Sequence, residues 1–258
     1  MAISLVLLTG AALAGDQGTM RSLHERPSQF FASATDFFRT AITTGLGILL
    51  LVVSARLVAL EYHAGTVRVL LGRGVGRFQL LFAKVAALAV TGCVVLAVLV
   101  VLAAAAMAGI LVNQTGGVAL LRSLDDGSGR ALAADLVVAV MSIAVCVLLG
   151  AAAGSMRSMA VGIGAAIGFF PVDNGLIEFF NIFAVATGKR IWNDLGGFLL
   201  GPVLNVMPAV LSHRETAGQV LIVPANSIAR GQALGVIGVF CALFLLVAMT
   251  ATTRDVTS

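Results

Sequence analysis

Long apolar blocks, separated by shorter polar stretches, make up most of this chain. Six blocks approach the ~20 residues that a helix needs to cross a bilayer, and they are residues 2–15, 40–60, 85–112, 136–156, 158–172 and 231–253. Their lengths match helices in lipid better than the buried elements of a soluble domain. The pattern therefore predicts an all-α polytopic membrane protein with six transmembrane helices and short re-entrant or interfacial helices before the last span.

The first block is short. Residues 2–15 hold about fourteen apolar positions, roughly 21 Å of helix at 1.5 Å per residue, whereas the hydrocarbon core is ~30 Å thick. A secretory signal peptide is the alternative, because Ala12-Leu13-Ala14 resembles a cleavage site. However, Met1-Ala2-Ile3 supplies no positive charge before the apolar run. We interpret the block as a first span whose cytoplasmic beginning is missing or whose start Met is misplaced.

The fifth block is predicted to end abruptly. Pro171 and the turn signal Asp173-Asn174-Gly175 close it, and an outer region, 173–230, follows. Leu176–Thr187 and Leu195–Leu211 are apolar, but the region is broken by glycines and prolines, namely Gly188, Gly196, Gly197, Gly201, Pro202 and Pro208. Non-helical backbone at membrane depth persists where protein or water shields it. These stretches are therefore interpreted as short re-entrant or interfacial helices on the outer side, with a seventh span through 195–211 as the alternative.

Composition agrees with this picture. The chain has 59% hydrophobic and 11% charged residues and a mean hydropathy of +1.05, against about 25% charged residues in soluble domains. The net charge of +4 does not indicate nucleic-acid binding, because the basic residues lie at the ends of apolar blocks rather than on one continuous face. The three cysteines lie inside apolar blocks at spacings typical of neither a metal motif nor a disulfide framework.

The basic residues predict an orientation. Together with Arg56 near the end of the second block, the segment after that block, the loop after the fourth and the C-terminal tail hold seven of the sixteen basic and two of the twelve acidic residues. Short loops rich in Lys and Arg face the cytoplasm. Six spans then place both termini in the cytoplasm of a multi-pass protein.

Candidate catalytic residues do not emerge from the pattern. Arg56 is the one ionisable residue assigned to a span, and it lies near the cytoplasmic end, where its side chain can reach the interface. The three histidines are far apart in polar loops, and no metal-ligand spacing accompanies them. Residues 72–76 lack the Lys-Ser/Thr of a phosphate-binding loop. We therefore expect no enzyme activity, cofactor or nucleotide site in this chain.

Small residues at helical spacing occur in two neighbouring spans. Gly150 and Gly154 are four residues apart, as are Gly164 and Gly168. Such pairs let two backbones approach closely in a membrane. They predict close packing of the fourth span against the fifth.

The predicted cytoplasmic segment 61–84, EYHAGTVRVLLGRGVGRFQLLFAK, is unusual. It is longer than a tight helix connection of 2–8 residues and too apolar for a solvated linker. Two short amphipathic pieces flank a glycine-rich hinge, and Thr66 can cap the first piece. Such a segment either lies along the inner membrane surface or fits into a partner's groove, and composition does not decide between the two.

The order of residues in this segment resembles the permease subunits of ABC-2 type transporters. In that family a segment of the form E-x-x-x-G-T follows the second span, then a Pro/Gly-containing turn ending in Ser-Arg, then a Lys. Glu61, Gly65-Thr66, Arg77 and Lys84 occupy these positions here. The resemblance departs in two ways, because Gly74–Arg77 replaces Pro-x-Ser-Arg and the cytoplasmic helix that normally precedes the first span is missing.

The resemblance implies a function and partners. It implies a permease that exports a substrate across the bacterial cytoplasmic membrane, with ATP hydrolysed by separate ABC ATPase subunits and a second permease copy or paralogue completing a dimer. The implied ATPase-coupling residues are Glu61, Gly65, Thr66, Arg68, Arg73, Arg77 and Lys84. The alternatives are a non-transporting membrane scaffold and an ion-coupled carrier, the latter disfavoured because no acid was assigned to a span.

Overall fold

Helices make up nearly all of the described part of the chain. The computed structural model describes residues 27–64, 76–115, 126–155, 159–212 and 228–254. The helices within these ranges are α1 (Pro27–Ala64), α2 (Arg77–Thr115), α3 (Asp126–Gly154), α4 (Met159–Thr187), α5 (Ile191–Gly196), α6 (Leu200–Ser212) and α7 (Arg230–Arg254). The all-α prediction is confirmed. The predicted first span, 2–15, lies outside the described residues.

Five of these helices are long and apolar enough to cross a membrane. The stretches are Ile42–Leu60, Phe78–Ala106, Gly129–Gly154, Ala160–Thr187 and Arg230–Thr250. Each overlaps one of the predicted spans two to six. A spanning segment must satisfy its backbone hydrogen bonds internally, and a helix does so. The total of six spans stays a prediction, because residues 1–26 are not described.

Helix α1 begins earlier than the second predicted span. It starts at Pro27 and runs for 38 residues, so residues 27–39 are helical although they were assigned to a polar stretch. Proline suits the first position of a helix because its missing N–H would have no intrahelical partner there. No proline follows it within the helix, and the serine, threonine and charged residues in its first half do not end it.

Helix α4 contradicts the predicted end of the fifth span. It continues through Pro171 and the Asp173-Asn174-Gly175 sequence as far as Thr187, over 29 residues, and the boundary at residue 172 was wrong. An internal proline removes one intrahelical hydrogen bond and kinks a helix, but a chain in lipid has no water to satisfy the bonds that a full break would open. The apolar residues beyond Gly175 keep the helix favourable.

Helix α3 lies at the centre of the bundle and packs most closely on α1. The Ser54 hydroxyl donates to the Val147 carbonyl at 2.8 Å. A Cβ built on Gly150 would lie 2.7 Å from the Cβ of Ser54, and one on Gly154 would collide with the backbone of Ala55. The glycine pair in the fourth span therefore packs against α1.

The predicted use of the second glycine pair was wrong. A Cβ on Gly164 or Gly168 would have no neighbour within 4 Å among the described residues, so this pair faces outward. Helices α3 and α4 instead approach where they join, because a Cβ on Gly162 would meet the carbonyl oxygen of Ala153 at 2.5 Å. The glycine that permits this approach therefore belongs to neither pair.

After α4 the chain reverses and runs back along it. Gly188 adopts φ of 66°, a left-handed conformation that favours glycine at a helix end. The Trp192 ring centroid then lies 5.2 Å from that of Phe183, and a Cβ on Gly196 would lie 3.3 Å from Ile177. Successive residues thus contact progressively earlier turns of α4.

Helix α6 leads the chain from α4 to the start of α7. Its thirteen residues span roughly 20 Å at 1.5 Å per residue, and nine of them are buried. Near its end, the Arg230 guanidinium donates to the Leu211 carbonyl at 3.3 Å. Residues 188–212, called the 188–212 hairpin below, thus run from the end of α4 along that helix and on to the start of α7. The depth of the hairpin in a bilayer stays a prediction.

Candidate functional site

Of the residues predicted to couple to an ATPase, those that the structure describes lie where α1 ends and α2 begins. Glu61 is in the last turn of α1, and Arg77 is the first residue of α2. Lys84 is half-buried two turns further along. Gly65, Thr66, Arg68 and Arg73 lie outside the described residues, as do the side chains of Glu61 and Arg77, so charge pairing at the segment's ends stays a prediction.

The first turns of α2 are fixed to two other helix ends. Leu81 is buried and belongs to one cluster with Ala152 near the end of α3 and Ala248 near the end of α7, with Val85 and Met249 packed against it. Three helix ends therefore meet close to the 61–84 segment. A displacement of this segment would reach α3 and α7 directly through apolar contact.

Two aromatic side chains project from the same turns. Phe78 and Phe82 are one helical turn apart and are 45% and 49% exposed, while Leu81 between them is buried. Phe78 opens the apolar stretch Phe78–Ala106, so these residues form the first turns of the 39-residue α2 rather than a separate short amphipathic piece. The exposed face of these turns is available to lipid or to another protein, since large aromatic side chains favour both settings.

A second polar site lies in the middle of α4 and was not predicted. Asp173 is 6% exposed, and its carboxylate accepts a hydrogen bond from the backbone N–H of Gly201 at the start of α6. The N–H of Leu200 adds a second backbone hydrogen bond. The Asn174 side chain donates to the Phe170 carbonyl at 2.8 Å.

The same amide also reaches α6. Asn205 donates from Nδ2 to the Oδ1 of Asn174 at 3.1 Å, so two consecutive residues of α4 are tied to two positions of α6 one turn apart. We call Asp173, Asn174, Gly201 and Asn205 the Asp173 cluster.

The Asp173 cluster satisfies groups that would otherwise be costly to bury. The first N–H groups of a helix have no intrahelical acceptor, and a carboxylate near that end also interacts favourably with the helix dipole. Gly201 leaves room for the close approach, because a Cβ there would lie 2.6 Å from Asn174 Nδ2 and 3.0 Å from Asp173 Oδ2, and these side chains would have to shift. The cluster is thus an intramolecular cap in which α4 holds the N-terminus of α6.

Comparison with known proteins decides the family. The family model described as ABC-2 family transporter protein matches residues 6–199, which is most of the chain. This chain belongs to the ABC-2 transporter family. The match includes the 61–84 segment and helices α1 to α5, and it ends immediately before α6. No curated protein and no solved structure matches the chain.

Membership defines the general role of this ABC-2 protein. It is a membrane-transport component rather than a catalytic subunit, and a permease-type role follows from the family. No group of three His, Cys, Asp or Glu residues that could hold a metal ion occurs among the described residues.

One sequence argument about this ABC-2 protein needs correction. The spans were expected to contain no acid, yet Asp173 and Glu178 both lie within the apolar stretch Ala160–Thr187. The turn signal after Pro171 led to a predicted span that ended at residue 172, before both acids. The continuing apolar run to Thr187 was the signal that could have revealed them, because such a run favours one uninterrupted helix.

The corrected position of Asp173 does not by itself make this protein an ion-coupled carrier. Buried acids in membrane helices often mark ion pathways. The Asp173 carboxylate also borders an open groove of about 370 Å³ on α4, lined by Ala165, Gly168, Phe169, Val172 and Leu176. Because two backbone N–H groups of α6 already donate to this carboxylate, its described role is structural.

Proposed function

We propose that this chain is the permease subunit of an ABC-2 exporter driven by ATP hydrolysed in a separate ATPase subunit. The permease lies in the bacterial cytoplasmic membrane with both termini inside, and a second copy or a paralogue completes a dimer. The family match over residues 6–199 carries this proposal. The sequence of the chain contains no phosphate-binding motif of its own, so the energy comes from a partner.

Coupling takes place at the 61–84 segment. ATP binding shifts the equilibrium between two conformations of the permease. The shift can be no larger than the difference in ATP affinity between the complex in one conformation and the complex in the other. The ATPase applies that difference to the ends of α1 and α2. The cluster of Leu81 with Ala152 and Ala248 passes the displacement on to α3 and α7.

Helix α1 transmits the displacement to the same centre. Ala55, Val58 and Ala59, just before the segment, are at most 4% exposed. The Ser54–Val147 hydrogen bond and the close glycine contacts hold α1 against α3. Both helices that flank the segment therefore act on α3.

The contact with the ATPase combines aromatic anchors with basic residues. Phe78 and Phe82 are exposed at the start of α2, and aromatic side chains commonly carry much of the energy of an interface. Arg68, Arg73 and Arg77 precede them in sequence. We expect them to pair with acidic groups of the ATPase and to set its orientation.

Photo-crosslinking tests the proposal without knowledge of the substrate. A photoreactive amino acid is placed at Thr66 or Arg73 in the full chain in its native membrane, and at exposed Lys189 as the control. We expect adducts with an ATPase subunit from Thr66 and Arg73 and none from Lys189. Adducts with lipid alone from both segment positions would contradict the proposal, and adducts only with other membrane proteins would favour the scaffold alternative.

A further inference from the structure

The surfaces that hold the 188–212 hairpin differ in chemistry. Toward α4, the Asp173 carboxylate accepts the Gly201 N–H and Asn205 donates to Asn174. Toward α7 and α3, buried Leu200, Val203 and Met207 share an apolar cluster with Val236 and Ile237 of α7 and with Val138 and Val145 of α3. At the rim, exposed Arg230 donates a hydrogen bond to the Leu211 carbonyl.

These two kinds of contact respond differently to sliding. A shift of one helix along another breaks directional hydrogen bonds, and in a low-dielectric interior the separated groups are left unsatisfied at a cost of roughly 1–3 kcal/mol each. An apolar contact between packed helices can slide by small steps without such a penalty. In lipid the apolar contact also lacks the hydrophobic driving force that would hold it in water.

We propose that α4 and the 188–212 hairpin form one rigid unit, latched by the Asp173 cluster, and that motion in this region takes place between the hairpin and α7. Gly201 permits the latch, because any larger residue would push Asn174 and Asp173 away. The hairpin then follows α4 when the bundle changes conformation. This inference goes beyond the proposed function, and its first test does not depend on that function.

Spin labels at three exposed positions test whether α4 and the 188–212 hairpin move as one unit. Val161 lies on α4, Phe198 in the hairpin and Leu246 on α7, and they are 59%, 55% and 55% exposed. The labels are introduced in pairs into the full chain, with Cys93, Cys146 and Cys241 replaced, and pulsed dipolar spectroscopy in lipid nanodiscs gives the distance distributions. The 161–198 pair reports on the latch, and the 198–246 pair reports on the contact with α7.

The first test needs no partner. Asp173→Leu removes the acceptor for the N-terminus of α6, whereas Asp173→Asn keeps one oxygen in nearly the same place. We expect the 161–198 distribution to broaden at least about twofold in Asp173→Leu and to stay narrow in Asp173→Asn. Asn205→Leu, which leaves the carboxylate in place, should broaden it by less and serves if Asp173→Leu does not fold. An unchanged 161–198 distribution in every folded leucine variant would overturn the latch.

The second test adds nucleotide and rests on the proposed function. With the ATPase bound, ATP should change the 161–246 and 198–246 distances together and leave the 161–198 distance unchanged. A changed 161–198 distance beside a changed 161–246 distance overturns the rigid unit alone and leaves the proposed function standing. No change in any pair counts against both ATP-driven motion and the sliding contact.

Discussion

Two joints of this bundle, the contact of α1 with α3 and the contact of α4 with α6, are made by different means. Near the 61–84 segment, α1 meets α3 through glycines and one hydroxyl, with Gly150 and Gly154 allowing backbone contact at Ser54 and Ala55. Around Asp173, α4 meets α6 through charged and amide side chains. Small residues let two helices come close because their side chains occupy little volume. Polar groups fix the relative position of two helices because hydrogen bonds are directional. The first joint suits the transmission of force, and the second suits the fixing of register.

The largest effect is expected from filling the small-residue joint. Gly154→Ala places a methyl group against the backbone of Ala55, and overpacking of this kind costs about 1–3 kcal/mol. The control is Gly164→Ala, since a Cβ there has no neighbour within 4 Å among the described residues. Unfolding in mixed micelles measures both variants. Equal stability of the two would show that the α1–α3 approach is looser than described.

The coupling segment should show the next largest effect. Glu61→Lys reverses the charge in the last turn of α1 and should uncouple ATP hydrolysis from movement of the permease, while insertion and assembly stay intact. Energetic coupling between sites is typically 1–3 kcal/mol, so we expect about a tenfold or greater loss of the ATP-dependent response. The readout is the ATP-dependent change in the 161–246 distance of the complex, with the ATPase rate measured in parallel.

The matched control for Glu61 reverses a charge far from the segment. Lys189 is exposed just after α4, and Lys189→Glu should leave the ATP-dependent response unchanged. A full response in Glu61→Lys would remove Glu61 from the coupling residues. Loss in both variants would point to a general sensitivity to charge instead.

The polar joint should show a smaller effect on stability. Loss of a helix N-cap costs about 0.5–2 kcal/mol, so Asp173→Leu should lower the free energy of unfolding within that range, and Asp173→Asn by less. The same pair of variants examines the ion-coupled alternative. If Asp173 carried a proton during transport, Asp173→Asn would abolish transport, whereas a structural cap predicts that this variant keeps most of its activity.

The sequence predicted the positions of most helices, but it did not predict the partners at either joint. Apolar block length located five helices, because lipid demands a minimum length of uncharged helix. It placed the boundary after Pro171 wrongly, because Asp173, Asn174 and Gly175 also form turns and their use by α6 depends on residues 28 and 31 positions away. The partners of Gly150 and Gly154 were missed for a related reason, since spacing shows that a helix is contacted but not by which neighbour.

The 61–84 segment and the Asp173 cluster also differ in how far the sequence alone could indicate them. The 61–84 segment could be proposed as a coupling segment from sequence because its chemistry is local, with Glu61, Thr66, Arg77 and Lys84 in one continuous stretch, and its role stays a prediction. The Asp173 cluster combines side chains from two helices that are joined by a reversal of the chain at Gly188. No local pattern encodes such a pairing. The one sequence trace of it is a carboxylate and an amide in the middle of an apolar run.

The smallest effect on stability is expected at the C-terminal end of α6, opposite the end that Asp173 caps. The buried Asp173 carboxylate holds the N-terminus of this helix, and exposed Arg230 donates to the Leu211 carbonyl near its C-terminus. A cation near a helix C-terminus contributes about 0.3–1 kcal/mol when exposed, and salt screens it. Arg230→Gln should therefore cost little stability and leave the 161–198 distance distribution narrow.

Salt separates the two ends of α6 further. Raising the ionic strength from about 0.1 M to 1 M shortens the Debye length from ~10 Å to ~3 Å, which weakens exposed charge interactions far more than buried ones. The stability difference between Arg230→Gln and the parent chain should therefore shrink in 1 M salt, while the difference caused by Asp173→Leu persists. If both differences shrank alike, the Asp173 carboxylate would be in contact with solvent ions, and the latch would be too weak to bind the hairpin to α4.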